Sequence, residues 1–392
     1  MTMATISQIF NEHAPRYWQA SRQEKGELLT HVCAITQMHR KAAIRKFNVL
    51  QMSDASTPER RGRSTHYTPD VTAALKELWT DGNEVCGELL HPMIKDYVTI
   101  LQRDGLWHHG DETTIKVLAI SQATVKRRVG TFLKARRTRK GLSDTKPAHL
   151  KYLVPIFTGP WGDYPPGYGQ LDTVRHSNSA SGDAVYTCQY TDAATLGVFP
   201  RAQWNKGQLA TQRSMQHIKD TMPFPWLGGH PDTGSEFMNT IVIDWCQAQG
   251  VELSRSRPNH KNDNMYVEER NGHVIRKTVG YLTLNCVEAV EALNAVYDLL
   301  TPYLFHFVAV RRMIMKERVG ARYRRTYEKT AATPYQRTLA HSNVSREIKE
   351  KLRQAHTGLN PRTLHAEIDR RLMTLYAVQQ RFGNPKPLGN PR

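Results

Sequence analysis

The order of strand-like and helical segments after residue 150 limits the folds open to this chain more than any other feature. Segments rich in β-branched and aromatic residues come first, and they are GYGQLDTVRH, DAVYTCQYTDA and LGVFPRAQW. The segments that follow alternate between helix, strand, helix, strand and helix, and they are KGQLATQRSMQHIKDTM, PFPWLGGHPD, SEFMNTIVIDWCQAQG, VELSRSRP and NMYVEERNGHVIRKTVGYL. This order predicts an α/β fold with a mixed sheet flanked by helices over residues 150–310.

Three carboxylates fall on this pattern at places where they can converge. Asp172 lies within the first strand segment, where a charge is costly unless a partner offsets it. Asp232 follows a Gly/Pro turn, and 35 residues separate it from Glu268 on the last helical segment. Carboxylates within reach of one another do not all ionise cheaply, and a divalent cation removes that conflict. The three acids therefore predict a site for Mg²⁺ or Mn²⁺, with two ions suited to phosphate chemistry.

The choice of Glu268 over its neighbour Glu269 rests on helical spacing. Residues Lys261, Asn264, Glu268 and Asn271 share one helix face at steps of three and four. Glu269 points about 100° away from that face. We therefore assign Glu268 to the site and expect Glu269 to face solvent or DNA.

The string Asp232-Thr233-Gly234-Ser235 also spells an aspartic-protease motif. Such an enzyme needs two of these turns sharing one proton. The other candidate, Asp172-Thr173-Val174, lacks the glycine. This reading remains a remote alternative.

The charge distribution indicates a polyanion as partner. The chain carries a formal charge of +18, with 23 basic and 15 acidic residues in 1–150, 12 and 15 in 151–300, and 19 and 6 in 301–392. A mildly acidic middle is thus flanked by two basic regions, as in proteins that bind nucleic acids. The five cysteines are scattered, which argues against a disulfide framework or a zinc finger. With no apolar run of membrane-spanning length and no signal peptide, we expect a cytoplasmic protein without membrane contact.

The basic N-terminal region is predicted to hold helix-turn-helix modules, whose second helix enters the major groove. One module is expected over residues 1–50 and a second over 69–140, with Ser121 as the cap of its recognition helix. A basic Arg-Gly-Arg linker over 51–68 joins them and is suited to the minor groove. The candidate DNA contacts in this region are Arg40, Lys41, Arg45, Arg61, Arg63, Lys126, Arg127 and Arg128.

Taken together, Asp172 on its strand, HPDTGSEFMN and RSRPNHKNDNMYVEERN resemble the integrase-type DDE transposases of bacterial insertion sequences, relatives of retroviral integrases. The resemblance covers roughly residues 150–310 and, more loosely, VGARYRRTYEKTAATPYQRTL in the basic C-terminal region 311–392. Two departures are present. Thr233 stands where the family often has Asn or Ser, and the zinc-binding domain of retroviral integrases is absent, with helix-turn-helix modules in its place.

The resemblance implies a ribonuclease H-like core in which Asp172, Asp232 and Glu268 are the catalytic metal ligands. It implies a transposase that binds terminal inverted repeats and target DNA as a homo-oligomer, in the bacterial cytoplasm at the nucleoid. Water would cut the element end to free a 3′-hydroxyl, which then attacks a target phosphodiester. The candidate DNA contacts near the acids are Arg255, Arg257, Lys261, Asn262, Asn264, Arg270 and Lys277. A catalytically inactive DNA-binding repressor or remnant is the alternative.

Overall fold

The computed structural model describes residues 2–52, 66–133, 154–157, 164–177, 182–256, 265–319 and 322–383. The chain folds into two compact units, residues 1–66 and 67–392. The larger unit contains the central sheet, the helices that follow residue 66 and the C-terminal helices. The finer division of the chain into modules stays a prediction.

The smaller unit consists of three helices. They are α1 (Met3–Gln19), α2 (Arg22–Thr36) and α3 (Arg40–Met52). Ser21 begins α2 with a capping box, in which its hydroxyl accepts from the Glu24 amide while the Glu24 carboxylate accepts from the Ser21 amide. Gln37, in the left-handed region at a φ of 57°, ends α2 and starts the short turn to α3. Phe47 stacks on Tyr17 at a ring separation of 4.2 Å and closes the core of this unit.

The larger unit begins with further helices. They are α4 (Pro69–Asp81), α5 (Gly87–Leu90), α6 (Ile94–Arg103), α7 (Asp111–Leu118) and α8 (Gln122–Leu133), with a 3₁₀ turn at His91–Met93. A short turn joins α7 to α8, and the Ser121 hydroxyl accepts from the Thr124 amide at 3.3 Å, as its predicted capping role requires. Gly87 lies so close to α8 that a Cβ there would stand 2.6 Å from Cα of Lys126.

A five-stranded mixed sheet forms the centre of the larger unit. Its strands are β1 (Tyr168–Arg175), β2 (Val185–Asp192), β3 (Val198–Trp204), β4 (Gly228–Pro231) and β5 (Glu252–Leu253). Their order is β3-β2-β1-β4-β5, with β1, β2 and β3 antiparallel and β4 and β5 parallel to β1. This is the ribonuclease H-like order, and it confirms the predicted fold class.

Helices cover the sheet and supply the apolar core. They are α9 (Gln208–Thr221), α10 (Thr240–Ala248), α11 (Met265–Arg270), a π-helical turn (Asn271–Arg276), α12 (Lys277–Val279) and α13 (Glu288–Phe307). One core cluster packs α9 and α10 against the sheet around Met215, Phe237 and Val242. A second cluster joins α13 to the sheet and to helices α4 to α8.

The C-terminal part of the larger unit continues with a hairpin and three helices. These elements are β6 (Met313–Val319), β7 (Arg322–Tyr327), α14 (Pro334–Ala340), α15 (Arg346–Thr357) and α16 (Pro361–Phe382). Arg362 of α16 binds Asp81 of α4 at 2.8 Å and also contacts Glu77. The C-terminal helix is thereby tied to the helices that precede the sheet.

Two boundaries expected from the sequence are wrong. The apolar residues 288–316 predict one continuous helix, but α13 ends at Phe307 and residues 313–319 pair as β6. A helix was also expected to begin at Ser235, but α10 begins at Thr240, because the Asn239 side chain caps it by accepting from the Val242 amide at 3.0 Å.

Among the described helices, none has the length and apolar character needed to cross a bilayer.

Candidate functional site

Asp172 and Asp232 lie side by side at the centre of the sheet. Strands β1 and β4 run parallel, and Leu171 is opposite Pro231 in their register. Asp172 follows Leu171 on β1, Asp232 follows Pro231 directly after the end of β4, and neighbouring strands are about 4.8 Å apart. The two acids predicted from distant parts of the sequence are therefore brought together by a single strand pairing.

The carboxylate of Asp172 is held by two donors. Its Oδ1 accepts from the Thr173 amide at 2.7 Å, and its Oδ2 accepts from the Asn271 side-chain amide at 2.5 Å. Burial and the neighbouring charge of Asp232 raise the pKa of Asp172 to about 8. A carboxyl group with a raised pKa is typical of a site where negative charges lie close together without a positive charge to balance them.

Asp232 sits in the turn after β4. Its Oδ1 accepts from the amide of Gly234 at 2.8 Å. A Cβ on Gly234 would lie 2.9 Å from that same oxygen and 2.6 Å from Oε2 of Glu236. A side chain at this position would therefore push the two carboxylate groups aside.

The backbone around Glu268 is attached to the face of β1 that carries Asp172. Gln170, two residues before Asp172 and on the same face, accepts from the amides of Tyr266 and Val267 at 2.9 and 3.1 Å. On the other side of Glu268, Asn271 reaches Asp172. Residue 268 is thus bracketed by two connections to β1, while the side chains of Glu268 and Glu269 lie outside the described part of the structure.

The helix after Glu268 changes its winding. Residues Asn271–Arg276 form a π-helical turn, an irregularity often found at functional sites. The Asn271 side chain points to Asp172, and the shared face of Glu268 and Asn271 stays a prediction. Lys277 follows this turn and donates to the carbonyl of Asn83, which ties the turn to the loop after α4.

The carboxylate oxygens of Asp172 and Asp232 fit a hard divalent cation, because such oxygens are the ligands that Mg²⁺ prefers. Among the described side chains, no three His, Cys, Asp or Glu residues are arranged as a metal site. The predicted third ligand, Glu268, is not among those side chains. The metal site as a whole therefore stays a prediction.

The predicted DNA contacts have different surroundings. Arg40, Lys41 and Arg45 are exposed on α3, and Lys126 and Arg127 are exposed on α8. Arg40 also donates within its unit, to Thr30 and the Gly26 carbonyl, and Lys126 pairs with Glu88 at 2.6 Å. Arg270 is half-buried at the end of α11. Residues Arg61, Arg63, Arg257, Lys261, Asn262 and Asn264 lie outside the described residues.

Arg255 and Arg128 also have partners inside the protein. Arg255 is buried and donates to the carbonyl of Val154 at 2.7 Å. Arg128 donates to the Thr72 hydroxyl and to the carbonyl of Tyr67. Their contact with DNA stays a prediction, and the structure gives each a role in holding the fold.

Sequence reasoning did not single out Gln170 or Glu236. Gln170 stands two residues before Asp172, so strand alternation places both on one face. Glu236 stands four residues after Asp232 in the turn and is 3% exposed. The position of Glu236 within HPDTGSEF could have pointed to this residue. Its burial depends on contacts that cannot be read from the sequence.

The sequence has a relative that is similar over most of its length. An uncharacterized protein, y4rM of Sinorhizobium fredii strain NGR234, is 35% identical over 335 residues, which cover 83% of this chain and 93% of that protein. The chain therefore belongs to the family of y4rM. A scan against protein-family models found no match.

Solved structures of viral integrases were also found. The catalytic core of BIV integrase is 15% identical, covers 43% of this chain and 91% of its own, and has a TM-score of 0.29. The catalytic core of HTLV-2 integrase in complex with magnesium is 14% identical, covers 37% and 90%, and has a TM-score of 0.28. The fold assignment rests on the strand order and pairing of the sheet itself.

Proposed function

We propose that this chain is a DNA transposase whose sheet carries a metal-dependent polynucleotidyl transferase site. The observation that carries the proposal is the arrangement around β1. Asp172 lies beside Asp232, and the backbone of Glu268 is attached to the same strand face through Gln170 and Asn271. This arrangement supports a site in which three acids from distant sequence segments meet at one edge of a ribonuclease H-like sheet.

The proposed ligands of two Mg²⁺ or Mn²⁺ ions are Asp172, Asp232 and Glu268. When bound, such cations supply positive charge that favours a nucleophilic oxygen and stabilises the leaving oxygen of a phosphodiester. The residues of the chain set the geometry. The Thr173 amide and Asn271 orient the carboxylate of Asp172, and the Gly234 amide orients that of Asp232.

The proposed substrate is double-stranded DNA, first the terminal inverted repeats of a mobile element and then target DNA. Water attacks the phosphorus at the element end, the bond to the 3′-oxygen breaks, and a 3′-hydroxyl is released. That hydroxyl then attacks a target phosphodiester and displaces its 3′-oxygen. Because two ends must be joined, we expect a homo-oligomer on DNA.

Basic side chains on exposed helices support DNA as the partner. The contacts we propose on the described helices are Arg40, Lys41, Arg45, Lys126, Arg127, Arg270 and Lys277. The contacts we propose outside the described residues are Arg61, Arg63, Arg257, Lys261, Asn262 and Asn264. Phosphate contacts of this kind make binding fall steeply with salt.

The test uses the full-length protein with DNA from the flanks of its own coding sequence. Asp172→Asn, Asp232→Asn and Glu268→Gln should each abolish Mg²⁺-dependent cleavage and strand transfer while DNA binding survives. Glu269→Gln is the matched control, and its activity should remain within a few-fold of wild type. Near-normal cleavage by any of the three variants would remove that residue from the site.

Two other functions would give different results. An inactive repressor or remnant would bind an inverted repeat in a salt-dependent way and cleave nothing with Mg²⁺ or Mn²⁺. An aspartic protease would hydrolyse peptides at acid pH without metal. The position of Asp172 within a strand, rather than in a turn like that of Asp232, disfavours the protease.

A further inference from the structure

The face of the sheet that carries Asp172 also holds two buried glutamines. Gln170 lies two residues before Asp172 on β1, and Gln189 lies opposite Asp172 on β2. Strand alternation places all three residues on one face, and both glutamines are 0% exposed. A buried amide group is costly unless it forms hydrogen bonds, so the partners of these two side chains indicate their role.

Gln170 binds the first turn of α11. Its Oε1 accepts from the Tyr266 amide at 2.9 Å and from the Val267 amide at 3.1 Å. The first four amides of an α-helix have no acceptor within the helix, and α11 begins at Met265. One side-chain oxygen of β1 therefore satisfies two of these amides, as the side chain of an N-cap residue does in other helices.

Gln189 contacts the next peptide group of α11. Its Nε2 donates to the Val267 carbonyl at 3.5 Å, and this carbonyl belongs to the peptide bond that joins Val267 to Glu268. The same Nε2 donates to the Thr191 hydroxyl at 3.4 Å. The backbone that leads into Glu268 is thus held by side chains from two neighbouring strands.

We propose that Gln170 is a positioning residue for Glu268 and that Gln189 assists it. Because one oxygen of Gln170 joins β1 to two amides of α11, its loss should release the start of the helix while the strand pairing of the sheet remains. In the proposed reaction Gln170 acts through Glu268 and not on the DNA itself. The effect on catalysis rests on the proposed function, whereas the attachment of α11 to β1 does not.

The first test measures amide hydrogen exchange by mass spectrometry in the full-length protein without metal or DNA. Gln170→Met keeps the length of the side chain but removes the acceptor, so the amides of residues 265–268 should exchange at least about tenfold faster. Gln203→Met on β3 is the matched control. Gln203 is also a buried glutamine of the sheet, but it donates to Thr211 and to the carbonyl of Asn205, so its loss should leave exchange at 265–268 unchanged.

The second test measures Mg²⁺-dependent cleavage at saturating DNA. Gln170→Met should lower the rate constant about a hundredfold, because a small misplacement of a reacting group costs that much, and the Kd for DNA should stay unchanged. Gln203→Met should cleave at the wild-type rate. If Gln170 only stabilised the fold, Gln170→Met would also cleave at that rate at a temperature where both variants are folded.

The outcomes separate this inference from the proposed function. The inference fails if Gln170→Met keeps wild-type exchange at residues 265–268, or if it cleaves DNA as fast as Gln203→Met. If the wild-type protein itself does not cleave DNA with Mg²⁺, the proposed function fails, and the exchange result alone decides on Gln170.

Circular dichroism checks the fold of each variant. Should Gln170→Met not fold, Gln170→Asn decides, because it withdraws the acceptor by one methylene group and should also speed exchange at residues 265–268. Wild-type exchange in Gln170→Asn would then overturn the inference.

Discussion

Asp172 carries a cost in the metal-free protein that its replacement by asparagine should remove. Burial and the charge of Asp232 raise the pKa of Asp172 from 3.8 to about 8. At pH 7, about three units above the ordinary pKa, the folded protein still keeps the proton on Asp172, and at about 1.4 kcal/mol per unit the cost in stability has an upper bound near 4 kcal/mol. Because the side chain keeps partial contact with solvent, which screens charge, we expect Asp172→Asn to stabilise by about 1–3 kcal/mol.

The hydrogen bonds around Asp172 permit this substitution. An asparagine keeps the oxygen that accepts from the Thr173 amide. Its new amide group would face the amide of Asn271, but Oδ1 of Asn271 is buried, accepts no hydrogen bond from the described residues and can take that place after a flip of the Asn271 side chain. The flip keeps one hydrogen bond between residues 172 and 271, so the variant should lose the charge without losing that contact.

The sign of the pH dependence follows from the raised pKa. The folded protein binds the proton of Asp172 more tightly than the unfolded chain, so wild-type stability falls as pH rises from about 4 to about 8. The gain of Asp172→Asn should be absent near pH 4 and largest near pH 8. In scanning calorimetry with EDTA, it should appear at pH 7 as a rise of about 1.5–4.5 °C in the Tm of the larger unit.

Asp192 provides the matched control. It is also a buried aspartate, and it accepts from the amides of Gly167 and Thr195 and from the Thr195 hydroxyl. Burial raises the pKa of Asp192 as well, but only to about 6. An asparagine there would turn an amide group towards one of these three donors, and because this loss should outweigh the smaller gain from removing the charge, Asp192→Asn should destabilise by about 1–2 kcal/mol. If Asp172→Asn instead destabilised the metal-free protein like Asp192→Asn, or showed no pH-dependent gain, Asp172 would be a structural residue and the reasoning would be refuted.

Three further predictions concern the larger unit. Gly87→Ala should destabilise by about 1–3 kcal/mol and weaken DNA binding, because a Cβ would stand 2.6 Å from Cα of Lys126 and displace α8. Thermal melting and a filter-binding assay would show the two effects, and unchanged DNA binding would contradict the prediction. Arg362→Met should cost about 3 kcal/mol in urea unfolding, because it leaves the 6% exposed Asp81 without its counter-charge, and a loss below 1 kcal/mol would speak against it. Tyr97→Phe should lower stability by about 1–2 kcal/mol in the same experiment, because the buried Tyr97 hydroxyl donates at 2.5 Å to a carbonyl at the end of α13. No change in stability would show that water replaces the hydroxyl at that carbonyl.

The fold of the core could be predicted from the sequence because its strands and helices have distinct patterns. The order of strands and helices from residue 168 to residue 279 agrees with the structure, and the fold class is confirmed. The pairing of Asp172 with Asp232 follows from that order, because β1 and β4 are neighbours in this sheet. The wrong helix over residues 313–316 arose because a short apolar run has no decisive period.

Other features of the site depend on tertiary contacts that no local pattern displays. Three of these features form only when the sheet and the helix are assembled. They are the hydrogen bonds between Gln170 and α11, the π-helical turn at Asn271 and the burial of Glu236. The Arg255 side chain illustrates the same limit. In the sequence it is one more basic residue near the acids, whereas in the structure it is buried and donates to the Val154 carbonyl.

The central claim is that Asp172, Asp232 and Glu268 form one metal-dependent site that cuts DNA. The most direct measurement incubates the full-length protein with labelled DNA from the flanks of its coding sequence, with and without Mg²⁺, beside Asp232→Asn. We predict a nick that releases a 3′-hydroxyl only with Mg²⁺ and only with the wild-type protein, while both proteins bind the DNA equally. Equal cleavage by Asp232→Asn, or cleavage that EDTA does not stop, would contradict the claim.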